Sequence, residues 1–380
     1  MSFLIEGILA VTWQQLVMYV VGIVLIYLAI KKEYEPSLLL PMGFGAILVN
    51  LPLSGVLNQM LDGVGEVTGI IEWLYEVGIG TSEALPILLF IGIGAMIDFR
   101  PLLARPFLFL FGAAAQFGIF VAIGIALALG FPLKDAASIG IIGAADGPTS
   151  ILVSQILHSD YVGAIAVAAY SYMALVPIVQ PFAIKLVTTK KDRLIRMDNG
   201  DDEVSQFTCI AFPVVVTIIT GFIAPASVAL VGFLMFGNLI RECGVLRSLS
   251  DAAQNNLANL ITLLLGITIS FSMKADKFVK WETLLIMGIG LMAFVFDTIG
   301  GVLFAKFINI FLKKDKKVNP MIGAAGISAF PMSSRVVQKM ALKEDPTNII
   351  LMHAVGTNVS GQIASVVAGG LVINLVTKLL

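Results

Sequence analysis

The chain has 380 residues, 58% hydrophobic and only 13% charged, with a formal net charge of −1. Soluble domains carry about 45–50% apolar and about 25% charged residues. A soluble enzyme, a disordered chain, a disulfide scaffold and a nucleic-acid binder are therefore excluded, and the near-zero charge gives no global attraction to an anionic partner. What remains is an all-α polytopic membrane protein with the lipid bilayer as its solvent.

The N-terminus lacks a basic region followed by a small-residue cleavage site, so the first apolar run, near Leu16 to Ile30, reads as a mature spanning helix. Apolar segments then follow in order, near 16–31, 38–53, 84–98, 107–130, 136–157, 161–185, 208–225, 226–241, 258–273, 282–312, 319–340 and 347–375. The stretch 57–81 carries Asp62, Glu66, Glu72 and Glu76 and is too charged to span; it reads as an interfacial amphipathic segment. Cys209 and Cys243 read as two buried thiols, and His158 and His353 make no metal set.

Two polar breaks divide the chain. The first contains Lys190, Lys191, Arg193 and Arg196 and then Asp198, Asp201, Asp202 and Glu203; the second is Lys313-Lys314-Asp315-Lys316-Lys317. Basic loops stay in the cytoplasm, and Lys31-Lys32, Arg100 and Arg105 belong with them.

The halves repeat. Glu35-Pro36-Ser37 with Gly43-Phe44 matches Ala224-Pro225-Ala226 with Gly232-Phe233. Gly92-Ile93-Gly94 matches Gly266-Ile267-Thr268, and Gly143-Ala144-Ala145 matches Gly323-Ala324-Ala325. The matches keep their order roughly 180 residues apart. If 136–157 and 319–340 are re-entrant, each half crosses the membrane five times, and an odd count inverts the second half. The expected architecture is two inverted repeats, 1–205 and 206–380, whose broken or re-entrant hairpins meet at the midplane. The first includes the interfacial stretch 57–81 and a cytoplasmic loop, 186–205. Both termini fall outside; so do Lys274, Lys277 and Lys280, against the charge trend.

Segment 136–157 contains Gly140, Gly143, Asp146, Gly147 and Pro148. Proline removes a backbone donor and restricts the residue before it, so the helix breaks near Asp146. Each half, about ten residues, is ~15 Å long, half of a ~30 Å hydrocarbon core. Irregular backbone at that depth lines a cavity or is buried in protein. A carboxylate there costs ~2.5–3.5 kcal/mol on insertion scales. Asp146 is either the N-cap of the second half-helix or a cation ligand or proton relay, and the two roles are compatible.

The partner segment 319–340 carries Asn319, Gly323, Gly326, Ser328, Pro331, Ser333, Ser334 and Arg335, with Gly326 where the first has Asp146. Arg335 either caps a helix or snorkels at the inner surface, or grips a substrate carboxylate or carbonyl with its planar fork. Segment 347–375 contains Gly356-Thr357-Asn358-Val359-Ser360-Gly361, which suits either close helix packing or an unwound stretch coordinating Na⁺. Its partner, 161–185, has Tyr170-Ser171-Tyr172 before Pro177 and Pro181, a second place for an unwound, hydroxyl-bearing site. There is no phosphate loop, no nucleophile elbow and no Cys/His metal motif.

Three stretches together, Gly143-Ala-Ala-Asp-Gly-Pro-Thr149 with Tyr172, Asn319 to Gly323 with Ser328 and Arg335, and Gly356-Thr357-Asn358, resemble the β subunit of the biotin-dependent, sodium-pumping decarboxylases. That family includes the oxaloacetate, methylmalonyl-CoA and glutaconyl-CoA enzymes. The resemblance implies a multi-pass protein of the cytoplasmic membrane that decarboxylates carboxybiotin, consumes a proton and exports Na⁺. It implies a carboxyltransferase α subunit, a biotin carrier subunit, a small membrane subunit and other β subunits as partners. The chain has no A-M-K-M-type biotinylation site, so biotin arrives on another polypeptide. The resemblance makes Asp146, Asn358, Ser328, Asn319, Gly323, Tyr172 and Thr357 candidate Na⁺ ligands. It makes Tyr172, Arg335 and Asp146 candidates for proton and carboxyl chemistry, and Arg335 and Asn319 for holding carboxybiotin. Asp146 with Asn358 would hold one Na⁺; Ser328, Asn319 and Tyr172 would make a second site. Oxaloacetate members tend to be longer at the N-terminus, which points to an acyl-CoA substrate. A secondary cation/proton antiporter is the competing reading; a structural membrane anchor is a further one, but it would gain nothing from a buried acid.

Overall fold

The computed structural model describes residues 6–7, 9–33, 36–61, 65–81, 83–197, 203–313 and 316–379. Glu35, Asp62, Asp198, Asp201, Asp202, Lys314 and Asp315 lie outside the described residues.

The first helix shows how local sequence sets an element. Thr12 caps α1 (Trp13–Lys32): its hydroxyl accepts from the Gln15 amide, and the Gln15 side chain accepts from the Thr12 amide at 2.8 Å. Lys31 and Lys32 sit in the last turn, where the helix dipole favours cations. The shorter α2 (Pro36–Val49) packs along α1. The charged stretch that follows forms an antiparallel hairpin, Asn58–Leu61 with Gly65–Thr68, and then α3 (Ile70–Tyr75), prolonged by a π-helical turn, Glu76–Gly80. Then come α4 (Ala84–Met96) and a span broken into α5 (Phe109–Ala114) and α6 (Phe117–Ala128).

The first re-entrant segment is α7 (Leu133–Gly140), a 3₁₀ turn, Ile141–Ala144, and α8 (Gly147–Ile156). It is followed by α9 (Val162–Val187), α10 (Gln206–Ile223), α11 (Val228–Glu242), α12 (Ala258–Ile269) and α13 (Trp281–Phe311). The second re-entrant segment is a single turn, α14 (Met321–Ala324), and α15 (Met332–Glu344); α16 (Leu351–Leu379) ends the described chain. Each apolar segment read from the sequence contains a helix. Among the described residues, six helical runs are long and apolar enough to cross a membrane, and up to eight if each bent pair is one span. The chain is thus an all-α polytopic membrane protein with one small surface hairpin. Of the two thiols, Cys209 is buried but Cys243 only half-buried.

Hydrogen bonds decide that both broken segments turn back. Asp135, at the start of α7, accepts from the Ser159 hydroxyl (2.7 Å) and the Asp160 amide (3.0 Å) just beyond α8, and Lys134 reaches the His158 carbonyl at 3.1 Å. The segment therefore enters and leaves at the same level. Its partner does the same: Asn319 donates to the carbonyls of Arg193 (3.0 Å) and Ile195 (2.8 Å), and Asn348, beyond α15, reaches the same two carbonyls. The long helix α9 runs from the first mouth to the second, so the two hairpins enter from opposite ends of the bundle. Their tips touch, where the Ser328 amide donates to the Ala144 carbonyl at 3.1 Å.

Two local expectations change. Residues 356–361 do not unwind; they lie inside continuous α16. Its small residues serve close packing instead. Gly361 sits against the Gly326 backbone, and the Ser360 hydroxyl reaches the Leu108 carbonyl at 3.0 Å. The Tyr170–Tyr172 stretch also stays helical, but α9 bends by 73° between Val162–Met173 and Leu175–Val187. Pro177 and Pro181 remove two amide donors just beyond the bend.

The α4–α11 crossing is close, and glycine makes it possible: Gly94 lies on the Leu234 backbone, and Gly237 on the Ile91 carbonyl. Gly237→Val puts a branched side chain where backbone already sits. It should destabilise the protein by at least about 1–3 kcal/mol, read as a lower unfolding midpoint in detergent; an unchanged midpoint would disprove the close crossing.

Candidate ion-binding site

The first break is built by four residues in sequence. Ala145 adopts a left-handed conformation (φ 52°), Asp146 is extended (φ −132°), and Gly147-Pro148 starts α8 with proline in the first turn, where no donor is lost. Asp146 thus stands at the N-terminus of a half-helix deep in the protein, where the helix dipole stabilises its charge. Its Oδ2 accepts from the Thr149 hydroxyl at 2.5 Å and from Ser365 of α16 at 3.4 Å. Hydrogen bonds to a charged carboxylate offset part of the cost of burial.

The second tip contributes Ser328, whose hydroxyl donates to the Gly361 carbonyl at 2.9 Å. Gln362 donates to the Ser328 carbonyl, and Asn358 to the Ile327 carbonyl at 2.7 Å. Asn358, Gln362 and Ser365 follow helical spacing, so one face of α16 lines both tips. The Asn358 Oδ1 and the Thr357 hydroxyl are buried without a partner. A cavity of about 200 Å³ opens at the crossing, lined by Asp146, Ser328, Gln362, Pro331 and Tyr170, whose ring covers Gly147. Carboxylate, hydroxyl, amide and carbonyl oxygens with free backbone at two helix breaks are the donor set of a hard monovalent cation.

The candidate residues do not all converge. Asp146 and Ser328 share the cavity. Asn358 lies two turns along α16 from Ser365, a separation of ~10 Å, and faces the second tip beside Thr357. Asn319 is at the hairpin mouth, holding the 193–195 loop, and Gly323 packs on the Gly301 backbone. Tyr172 points away from the cavity; its hydroxyl donates to the Met287 carbonyl and its ring rests on Ile142 and Gly290. Arg335 is exposed in the first turn of α15, one turn from Lys339 and two from Lys343. Among the described residues no group of three His, Cys, Asp or Glu forms a metal cluster.

Four residues at or near the cavity carry no individual role in the sequence reading: Gln362 and Ser365, unnamed there, Thr149, named only within the Gly143–Thr149 stretch, and Tyr170, named only together with Tyr172. The signal was present for two of them, because Gln362 and Ser365 continue the helical stripe begun by Asn358. Asp297 was missed altogether. It lies at the midpoint of α13, fully buried, an acid within a 31-residue apolar helix.

Fold and site together define a multi-pass membrane protein with an intramembrane carboxylate at crossed helix breaks, the class of ion-translocating proteins. The family can be named from comparison. Residues 14–376 match the model of the Na⁺-transporting oxaloacetate decarboxylase beta subunit. The chain is 46% identical to the methylmalonyl-CoA decarboxylase subunit beta of Propionigenium modestum, over 97% of this chain and 96% of that protein. It is 45% identical to the glutaconyl-CoA decarboxylase subunit beta of Acidaminococcus fermentans (98% and 96% covered). It is 42% identical to a probable oxaloacetate decarboxylase beta chain of Vibrio cholerae (97% of each). The chain belongs to this family of sodium-pumping decarboxylase β subunits.

The loop at the second mouth is clipped as well as hydrogen-bonded. Arg193 pairs with Glu344 at 2.7 Å, and Arg196 with Asp345 at 2.7 Å. The Thr347 amide and hydroxyl, then Arg196, hold the Asp345 carboxyl down at about 2. A depressed folded pKa contributes stability above the ordinary carboxylate range, and that contribution is lost as pH falls through about 2. At neutral pH the clip is fully formed. Asp345→Asn should then raise amide hydrogen exchange over residues 193–197 roughly severalfold; unchanged exchange would show that Asn319 and Asn348 hold the loop alone.

Proposed function

We propose that the chain couples decarboxylation of carboxybiotin on a carrier subunit, which consumes a proton and releases CO2 and biotin, to Na⁺ export across the cytoplasmic membrane, with Na⁺ bound at the crossing of the two hairpin tips. The observation that carries this reading is Asp146, a buried carboxylate at a helix break, beside Ser328 of the opposite tip in one cavity. Asp146 supplies the charge, and Ser328, Gln362 and main-chain oxygens supply neutral ligands. Asn358 and Thr357, with unpartnered oxygens one step along α16, form a second resting place for the ion. Tyr172 ties α9 to α13 just before the bend of α9. Moving one charge against 100 mV costs ~2.3 kcal/mol, so export needs the decarboxylation as its driver.

The carboxyl group arrives from the cytoplasmic side. Arg335, Lys339 and Lys343 form a basic stripe on α15, and Lys185, Lys339 and Lys343 line a cleft of about 300 Å³ between α15 and the proline-bearing half of α9. Carboxylated biotin is an anion, and a planar guanidinium with nearby ammonium groups suits it. Partners on this reading are a carboxyltransferase α subunit, the biotin carrier, a small membrane subunit and further β subunits. The inverted repeat, 1–205 and 206–380, provides alternating access by movement of one half against the other. Among substrates, methylmalonyl-CoA or glutaconyl-CoA fits best, because the relatives named for them align over 387 and 378 residues, against 424 for the oxaloacetate relative.

Asp146→Asn keeps the size and loses the charge. In the purified complex it should abolish Na⁺-stimulated decarboxylation and ²²Na⁺ uptake into proteoliposomes. Asn358→Ala removes one neutral oxygen and should raise the Na⁺ concentration for half activity more than it lowers the maximal rate. Full Na⁺-dependent turnover in Asp146→Asn would refute the site; unchanged Na⁺ dependence in Asn358→Ala would reduce Asn358 to packing.

A further inference from the structure

A second carboxylate lies inside the membrane, behind the first break and outside the cavity. Asp297 is fully buried at the midpoint of α13. Its Oδ1 accepts from the Gly118 amide in the first turn of α6, just past the break between α5 and α6. Its Oδ2 makes no well-formed hydrogen bond; it faces Gly143 in the 3₁₀ turn of the first hairpin, with the Ala293 methyl and the Ile119 amide of α6 close by. A Cβ at 143 would crowd Oδ2 and the Ala293 methyl, so the absence of a side chain there lets the carboxylate approach the turn. Asp297 therefore bridges three elements: it is carried by α13, holds the start of α6, and abuts the hairpin that carries Asp146.

We propose that Asp297 binds a proton during the transport cycle, at a site separate from the Na⁺ site at Asp146. A cap alone explains Oδ1 but leaves Oδ2 buried without a well-formed hydrogen bond, a costly arrangement for a charged carboxylate. Sodium does not fit there. It needs several oxygens around it, and Oδ2 is flanked by the Gly143 main chain, a methyl group and the Ile119 amide, a donor that repels a cation. A proton needs one oxygen, and Oδ2 is that oxygen.

The surroundings offer few competing charges. The helices α5 and α6 and the turn α14 carry no ionisable side chain. From α9 the nearest is Tyr172, on Gly290 two turns away along α13; α7 has Lys134 and Asp135 at its distant mouth; across the break stands Asp146. Taking up a proton neutralises Asp297 and weakens its charge-assisted bond to Gly118. Proton binding thereby loosens α6 from α13 beside the first hairpin, a local electrostatic change acting on an element that must move.

The test uses the purified, full-length complex and two readouts. The first needs no turnover: pH-difference infrared spectra in the carboxylic acid C=O stretching region. The expected result is a titrating band that is present in wild type, retained in Asp146→Asn and lost in Asp297→Asn. The side-chain amide that Asp297→Asn introduces still offers an oxygen to Gly118, so the cap survives. Should that variant fail to assemble, Asp297→Glu must shift the same band. The second readout rests on the decarboxylase reading: Asp297→Asn should change the pH profile of Na⁺-dependent decarboxylation, whereas a purely structural cap would leave its shape unchanged. No infrared band assignable to residue 297 at any pH, or a wild-type pH profile in Asp297→Asn, overturns the proposal. Absence of decarboxylation in the wild-type complex would instead count against the decarboxylase reading and leave the infrared result to decide.

Discussion

Backbone that leaves helical geometry inside hydrocarbon must find partners for its amides and carbonyls within the protein. Here the two irregular stretches satisfy one another. The Ser328 amide of the second tip donates to the Ala144 carbonyl of the first, and Gln362 and Asn358 of α16 take the carbonyls of Ser328 and Ile327. Neither tip is complete without the other and without α16. The remaining helices are arranged around this contact: α9 spans from one hairpin mouth to the other, and α13 backs both tips, through Gly143 on one side and Gly323 on the other.

The same constraint creates the chemistry. Oxygens that a regular helix would use internally are freed at the breaks, and a carboxylate at a half-helix N-terminus can remain charged at that depth. One acid, Asp146, faces a cavity; the other, Asp297, faces packed backbone. That difference in surroundings separates a group that can gather several oxygen ligands around an ion from one that has room only for a proton. At the second hairpin mouth the requirement is different: the basic stripe of α15 and the clipped 193–196 loop lie at the surface, where charge is tolerated.

Most of the framework was legible in the sequence, because it rests on apolar length and on proline and glycine. The break at Asp146 followed from Gly147-Pro148, and the hairpin mouths lie beside the charged loops. What was not legible follows from three-dimensional packing. The Gly356–Gly361 stretch has the composition of an unwound helix, yet the close approach of Gly361 to Gly326 and the Ser360 bond to Leu108 keep it helical. Tyr170 and Tyr172 are two residues apart and point to different sides of α9, so pattern alone could not say which reaches the cavity. Asn319 shares a hairpin with Ser328 but sits at its mouth, because its amide is needed by the loop carbonyls. Asp297 was readable as a lone acid in an apolar helix, but its partner, Gly118, is far away in sequence and visible only in the fold.

The central claim is that the two tips together hold the transported ion. It is tested most directly by locating a sodium surrogate, Tl⁺, by its anomalous scattering in crystals of the complex, with and without competing Na⁺. The account predicts a peak at the crossing of the tips, against the Asp146 carboxylate and the Ser328 hydroxyl, that Na⁺ displaces. A Na⁺-displaceable peak only at the hairpin mouth near Asn319, with none at the crossing, would contradict it.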